Sequence, residues 1–419
     1  MRLFGSAVAG VILTILWTGQ PAMANAPDSS PRPALRPPES TPREPGNMAF
    51  HAWVAEYRTR AIAAGIRPDV IDWAMAGLRY NTDVIQKDRT QSEFTKTIWD
   101  YLDTAVSDLR IRNGQVALNR HRAPLDQIEA KYGVDKQIIV AIWGLESAYG
   151  TFRGTIPVIE AMATLAHDGR RAAFFESQLT AALGILQNGD VELDQMKGSW
   201  AGAMGHTQFM PTSFLAHAVD FTGDGKRDIW SDDARDALAS TAAYLAANGW
   251  APGQPWGVEI RIPDRFDYAQ ARREITKMPS EWARIGVLDM AGNPVPNHGP
   301  ASVLLPAGAK GAAFLIFANF EVLESYNTAD AYVIGVGQLA DRIAGGPPIQ
   351  GNWPRDDRAL TFGERIELQE RLTGKGFDTR KIDGKIGPLT IEAVRQYQAS
   401  VGLVADGYAS LSLLERLRS

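Results

Sequence analysis

The sequence predicts a mainly helical protein of the α+β class, with a small β insertion and a separate three-helix unit at its C-terminal end. Three observations lead there. Apolar residues recur at helical spacing from Met48 through Leu186. After Trp250 the pattern switches to strict alternation, with Val258, Ile260 and Ile262 on one side. A Gly/Pro-rich break at 345–359 then precedes about sixty residues of short helical segments. The chain has 419 residues, too many for one ordinary core, which fits this division into domains.

Taken in order, residues 1–24 read as a cleaved secretory signal. Arg2 supplies the positive start, residues 6–17 (SAVAGVILTILW) the apolar stretch, and Ala22-Met23-Ala24 a small-x-small cleavage site. No later apolar run has the length of a membrane span. Residues 25–47 are Pro-rich and polar and lack the apolar surface to fold, so they read as a tether. The main domain is expected over 48–344. It opens with helices anchored by Trp53, Trp73, Phe94 and Trp99 and a helix start at Asn81/Thr82. Strands are expected at 258–262, 302–305 and 312–320, and a helix from Ala329 to Ile343. Residues 345–359 form a linker, and 360–419 a small unit with helices at 363–373, 390–401 and 410–416.

Composition limits the chemistry. A net charge of -5 without a long basic run argues against a nucleic-acid partner. The chain has no Cys, which excludes disulfides, a thiol nucleophile, Cys-ligated zinc and a lipidated Cys after the signal. The six histidines show no metal-ligand spacing, and Gly-x-Ser-x-Gly and phosphate-loop motifs are absent.

Against this background Glu146 stands out. At helical period, residues 135–149 (DKQIIVAIWGLESAY) place Ile138, Ile139, Ile142, Trp143 and Tyr149 on one face, and Lys136, Gln137 and Ser147 opposite. Glu146 follows Ile142 by four and Trp143 by three, so it shares the apolar face. A desolvated carboxyl keeps its proton to higher pH, which suits a general acid. The plain alternative is a Glu at the edge of the stripe that reaches water. Residues 198–214 (GSWAGAMGHTQFMPTSF) mix glycines that admit close backbone approach with polar Ser199, His206 and Gln208 and with aromatic Trp200 and Phe209, whose flat faces suit sugar rings. An ordinary interhelical loop would read the same way. Asp220, Thr222 and Asp224, then Gly225 and a carbonyl at Lys226, follow the opening of a calcium loop. Thr222 stands where Asp or Asn is usual and Ser231 where a bidentate Glu belongs, while Asp236 lies where it would close the site. A solvated Asp/Gly turn is the alternative.

Residues 141–147 (AIWGLES), 198–211 (GSWAGAMGHTQFMP), the acidic loop at Asp220 and 248–250 (NGW) together resemble the lytic murein transglycosylase B family, in order from about Phe50 to Ile343. The last unit, with Leu368, Gln369, Leu372, Asp383, Gly384, Gly387, Val394, Tyr397 and Gln398, looks like the three-helix peptidoglycan-binding domain often joined to such enzymes. The resemblance implies a lysozyme-like catalytic domain with Glu146 as its sole catalytic carboxylate. It also implies that Ser199, Gln208, Arg170, Arg171, Tyr244, Tyr326, Asn327 and, more loosely, Tyr101 meet sugar or peptide. Asp220, Thr222, Asp224, Lys226 and Asp236 would carry a structural Ca2+, with no cofactor needed for the chemistry. Partners would be peptidoglycan strands and other cell-wall enzymes, in the periplasm. Two departures stand out: His206 occupies a position where the family has Tyr, and no lipidated Cys follows the signal.

The implied reaction breaks the bond between N-acetylmuramic acid and N-acetylglucosamine and leaves a 1,6-anhydro end. Two alternatives remain at this stage: a lysozyme-type muramidase that uses water, and a wall-binding scaffold without catalysis.

Overall fold

The computed structural model describes residues 45–90 and 96–419. The expected signal segment, nearly all of the Pro-rich stretch and Phe94 lie outside the described residues. Among the described residues, no helix is long and apolar enough to cross a membrane.

The helical part has two cores. The first is built by helices Pro45–Ala63, Pro68–Ala74, Thr82–Thr90, Val158–Asp168, Ala172–Asn188 and Pro211–His217, around Phe50, Tyr57, Met162, Leu179 and Phe214. The second gathers helices Asp108–Arg120, Arg122–Tyr132, Lys136–Ser147, Arg235–Ala247, Ala318–Tyr326 and Asp330–Ile343 around Ile139, Ile142, Leu238, Phe320 and Val333. Tyr244 and Tyr326 pack against both cores and mark the seam between them. The Gly-rich segment contributes Trp200, Met204 and Phe209 to the first core, while Glu146 rides on a helix of the second. The site therefore forms where two independently packed bodies meet, a common place for a cleft.

The β insertion is one antiparallel sheet in the order Leu288–Asp289, Gly257–Arg261, Ala313–Ile316, Ser302–Leu304. Its own apolar face buries Ile260, Trp282, Val303 and Leu315. A two-stranded ribbon, Ile156–Pro157 with Lys197–Gly198, was not anticipated from the sequence. The expected strand over 312–320 stops at Ile316, and a helix begins at Ala318. The segment is uniformly apolar, so its periodicity does not distinguish the two. Asn319 decides locally: fully buried, it donates to the carbonyls of Ala251 and Gln254 and accepts from the Ala251 N–H. Trp73 is also corrected, since it is 49% exposed and anchors nothing.

Helices Phe362–Gly374, Pro388–Ser400 and Leu411–Arg418 form the C-terminal unit over Leu368, Val394 and Leu414. Thr361 and Glu364 close a reciprocal cap on the first helix. Buried Gln369 accepts from the N–H groups of Asp383 and Gly384, so an Asp-Gly turn hangs from each of two helices once Gln398 does the same for Gly407. The unit docks on the β insertion: Asp406 accepts from the Ala309 N–H at 2.9 Å, Arg395 donates to the Ala271 carbonyl, and Arg272 pairs with Glu392. A cavity of about 500 Å³ lies in this junction, lined by Arg272, Leu305, Arg395 and Tyr408 among others, away from Glu146.

Candidate active site

Helix Lys136–Ser147 places Glu146 one residue before its end. There the chain turns through three consecutive left-handed residues, Ala148 (φ 48°), Tyr149 (φ 60°) and Gly150 (φ 84°). The Tyr149 N–H reaches back to the Trp143 carbonyl and the Ala148 N–H to that of Gly144, which closes the helix end. Left-handed Ala and Tyr each cost about 1 kcal/mol or more and mark a site held by its surroundings. The expected face assignment is corrected at two places. Tyr149 lies beyond the helix, and Ser147, read as opposite the apolar face, is 1% exposed because the Gly-rich segment covers it.

The Glu146 carboxyl is half-buried at the seam. Tyr332 donates to its Oε1 at 2.6 Å. Burial pushes its pKa up to about 7, against the pull of the Tyr332 hydroxyl, which favours the ionised form. Its place in the last helical turn, at the negative end of the helix dipole, works in the same upward direction. Among the described residues, no other carboxylate enters its titration. Glu146 in turn helps raise the pKa values of Tyr332, Tyr326 and Tyr101, after burial, so all three phenols stand near it. The Tyr101 hydroxyl is buried without a protein partner. Tyr332 was missed in the sequence reading. Its signal was a hydroxyl-tipped ring on the apolar face of helix Asp330–Ile343, the same kind of anomaly that singled out Glu146.

The structure brings most of the other expected residues to this seam. Ser199 accepts the Ala203 N–H, and Gln208, itself left-handed (φ 55°), donates to the carbonyls of Gly205 and Arg153. Both are partly open. Gly154 (φ +89°) holds the two segments together: a Cβ there would lie 2.2 Å or less from the Gly198 carbonyl atoms, so only glycine permits this approach. Tyr326 donates to the Thr207 carbonyl at 2.6 Å and Tyr244 to the Ser325 carbonyl. Asn327 is buried and accepts from the Ala329 N–H, so it shapes the turn before helix Asp330–Ile343. Arg170 and Arg171 sit elsewhere on the first core, both paired with buried Asp88, which the sequence reading overlooked. Their side chains remain 51% and 36% exposed.

The acidic loop is tightly organised. Buried Asp236 accepts from the N–H groups of Phe221, Thr222 and Asp228, and Asp220 from those of Gly223, Asp224 and Gly225. Thr222 donates to Asp220, and Asp224 accepts the Lys226 N–H. Ligand oxygens of Asp220, Asp224 and Asp236 lie within 4.8 Å of one another. Two carboxylates of the loop, with a third from the start of helix Arg235–Ala247, make an all-oxygen set that fits a hard divalent cation such as Ca2+.

The Transglycosylase SLT domain profile matches residues 49–341. The chain belongs to that family. The peptidoglycan binding domain family matches residues 363–417 of the same chain. It is 33% identical over 251 residues to membrane-bound lytic murein transglycosylase B of Escherichia coli (strain K12), a match covering 58% of this chain and 66% of that relative's length. Among solved structures, it is similar to SltB3 from Pseudomonas aeruginosa in complex with NAG-NAM-pentapeptide, with TM-score 0.86 and 49% identity over 88% of this chain and 99% of that one. It is also similar to the Escherichia coli lytic transglycosylase Slt35 in complex with calcium, with TM-score 0.59 and 28% identity over 71% and 93% of the two chains.

Proposed function

We propose that this SLT-family protein is a peptidoglycan lytic transglycosylase with Glu146 as its single acid/base. The observation that carries the reading is a half-buried carboxyl at the seam of the two helical cores, its pKa pushed up to about 7 by burial, with no second carboxylate acting on it among the described residues. A glycosidase of the usual design needs two carboxylates across the bond. Here one group serves twice. Protonated Glu146 donates to the oxygen linking N-acetylmuramic acid to N-acetylglucosamine, and the C1–O bond breaks while the 2-acetamido group of the substrate stabilises the cation at C1. The resulting carboxylate removes the proton from the muramic C6 hydroxyl, whose oxygen bonds C1. Glu146 regains its proton, and no water is consumed.

Tyr332 engages Oε1, so Oε2 would be the oxygen that exchanges the proton with the sugar. Ser199, Gln208, Tyr101, Tyr244 and Tyr326 line the seam for the glycan, with Asn327 shaping its edge. Arg170 and Arg171, only partly neutralised by Asp88, offer guanidinium groups to stem-peptide carboxylates. Asp220, Thr222, Asp224, Asp236 and the Lys226 carbonyl would hold Ca2+ and fix the loop, without entering the reaction. The setting is the periplasm, reached through the signal segment, with glycan strands as the partner.

The test is mass spectrometry of fragments released from intact peptidoglycan. Anhydromuropeptides are expected. Reducing-end muramic acid would instead make the protein a muramidase, and no release would leave a wall-binding scaffold. Tyr332→Phe is expected to lower kcat by about tenfold through loss of carboxyl orientation. It should also move the alkaline limb of the rate profile upward, because the lost hydrogen bond favoured ionised Glu146. An unmoved limb would mean that Tyr332 does not act on Glu146 in solution.

A further inference from the structure

His206 is buried, 4% exposed, between the catalytic helix and the segment leaving the acidic loop. The Trp143 indole, which can only donate, points its Nε1–H at His206 Nδ1 at 3.0 Å. Nδ1 therefore carries the lone pair and Nε2 the proton, which goes to the Ser231 carbonyl at 2.7 Å. The backbone takes part as well: the His206 N–H donates to the Ile229 carbonyl, and its own carbonyl accepts from the Ser147 hydroxyl. That hydroxyl accepts the Gly150 N–H at 2.9 Å. A Cβ on Gly150 would come within 2.5 Å of His206 Nδ1, so the imidazole lies directly against the left-handed turn that ends the catalytic helix. Trp143 and Ser147 stand three residues before and one after Glu146.

We propose that His206 is a positioning residue for the acid/base, a neutral strut protonated on Nε2 that braces the last turn of the catalytic helix against the loop at Ser231. The inference rests on the reading of Glu146 as that acid/base. The groups facing the ring make the strut conditional on its charge. The Arg153 guanidinium lies 3.3 Å from Nε2 and is held by the carbonyls of Trp230 and Ser231 and by Asp232. Asp228 acts from the acidic-loop side, His121 stacks edge-on against Trp143, and Glu146 follows on the same helix. A proton on Nδ1 would set one N–H against that of Trp143 and add a cation beside Arg153. Burial already holds the pKa of His206 below its usual 6.5. The strut is thus intact at neutral pH and fails in acid, which gives the rate profile an acid limb separate from the alkaline limb of Glu146.

The test compares kcat, KM and pH profiles on soluble glycan strands for wild type, His206→Asn, His206→Gln and His206→Leu, with ¹⁵N-histidine spectra. Asn places an acceptor oxygen where Nδ1 was but gives up the Ser231 contact, so it is expected to keep more of kcat than Gln or Leu while losing the acid limb, since it cannot titrate. Gln and Leu, which leave the Trp143 donor unmatched, are expected to lower kcat roughly tenfold or more with KM unchanged. The histidine resonance lost in His206→Asn should report the Nε2–H tautomer. Unchanged kcat in Gln and Leu, or an acid limb that persists in Asn, would overturn the proposal. If Leu does not fold, Asn, Gln and the spectra still decide. Glu146→Gln keeps the two readings apart: full cleavage by it removes the acid/base reading, whereas an inert Glu146→Gln beside wild-type-like His206 variants removes the strut alone.

Discussion

Replacing Glu146 by Gln is expected to abolish anhydromuropeptide release, a loss of about 10³-fold or more, while making the protein more resistant to heat above neutral pH. The amide keeps the shape of the acid and can still accept from Tyr332, so the fold has no reason to change. It cannot donate the proton that the leaving oxygen needs or take the one from C6. The stability gain follows from linkage. The folded protein titrates Glu146 near 7 and the unfolded chain near 4.5, so between those values the folded state binds more protons. Stability therefore falls as pH rises from about 4.5 to about 7, and the penalty stays constant above. With the carboxyl partly open to solvent, the penalty is on the order of 2 kcal/mol, and Gln removes it. Product release and thermal melts on both sides of neutrality check the two halves separately. Wild-type release would eliminate Glu146 as the acid, and a Tm difference independent of pH would show that it is not desolvated.

What was legible in the sequence was what local spacing encodes. Glu146 could be singled out because a helix fixes its neighbours at three and four residues, and the acidic loop because Asp220, Thr222 and Asp224 alternate along one turn. Tyr332 could not be tied to Glu146 in advance, since the two meet across 186 residues and only the packing of the two helices brings them together. Ser147 was placed on the wrong face for the same reason: helical period says which way a side chain points, not what covers it. The Gly-rich segment taken alone reads more readily as a loop, and its close packing of Gly198 against Gly154 joins residues that no local spacing relates. Arg170 and Arg171 were legible as cations, whereas their shared partner Asp88, some 80 residues earlier, was not. Where the pattern itself was degenerate, as in 312–320, a single buried amide settled helix against strand.

Asp236→Ala is expected to show the second large effect, a loss of about 3 kcal/mol in stability together with loss of any response to calcium. Asp236 is 1% exposed, and its two oxygens take N–H donors from Phe221, Thr222 and Asp228 at 2.9 to 3.0 Å. Burial raises its pKa and those three donors lower it, so the loop is held by a carboxylate whose cost of desolvation is offset only while the donors stay in place. Alanine leaves three N–H groups without their acceptor. Because the same loop presents the Ser231 carbonyl to His206, loosening it is expected to reduce cleavage as well. Asp224→Asn separates fold from cation: among the described residues this exposed side chain accepts only the Lys226 N–H, so its loss of charge should leave the calcium-free Tm unchanged. In wild type, calcium at a hundredfold excess over its Kd is expected to add about 2.7 kcal/mol, read as a Tm rise of several degrees that a chelator reverses. Both variants should lose that rise. If calcium raises the Tm of Asp224→Asn and Asp236→Ala as it does the wild type, the acidic loop is a hydrogen-bonded turn and the cation binds elsewhere.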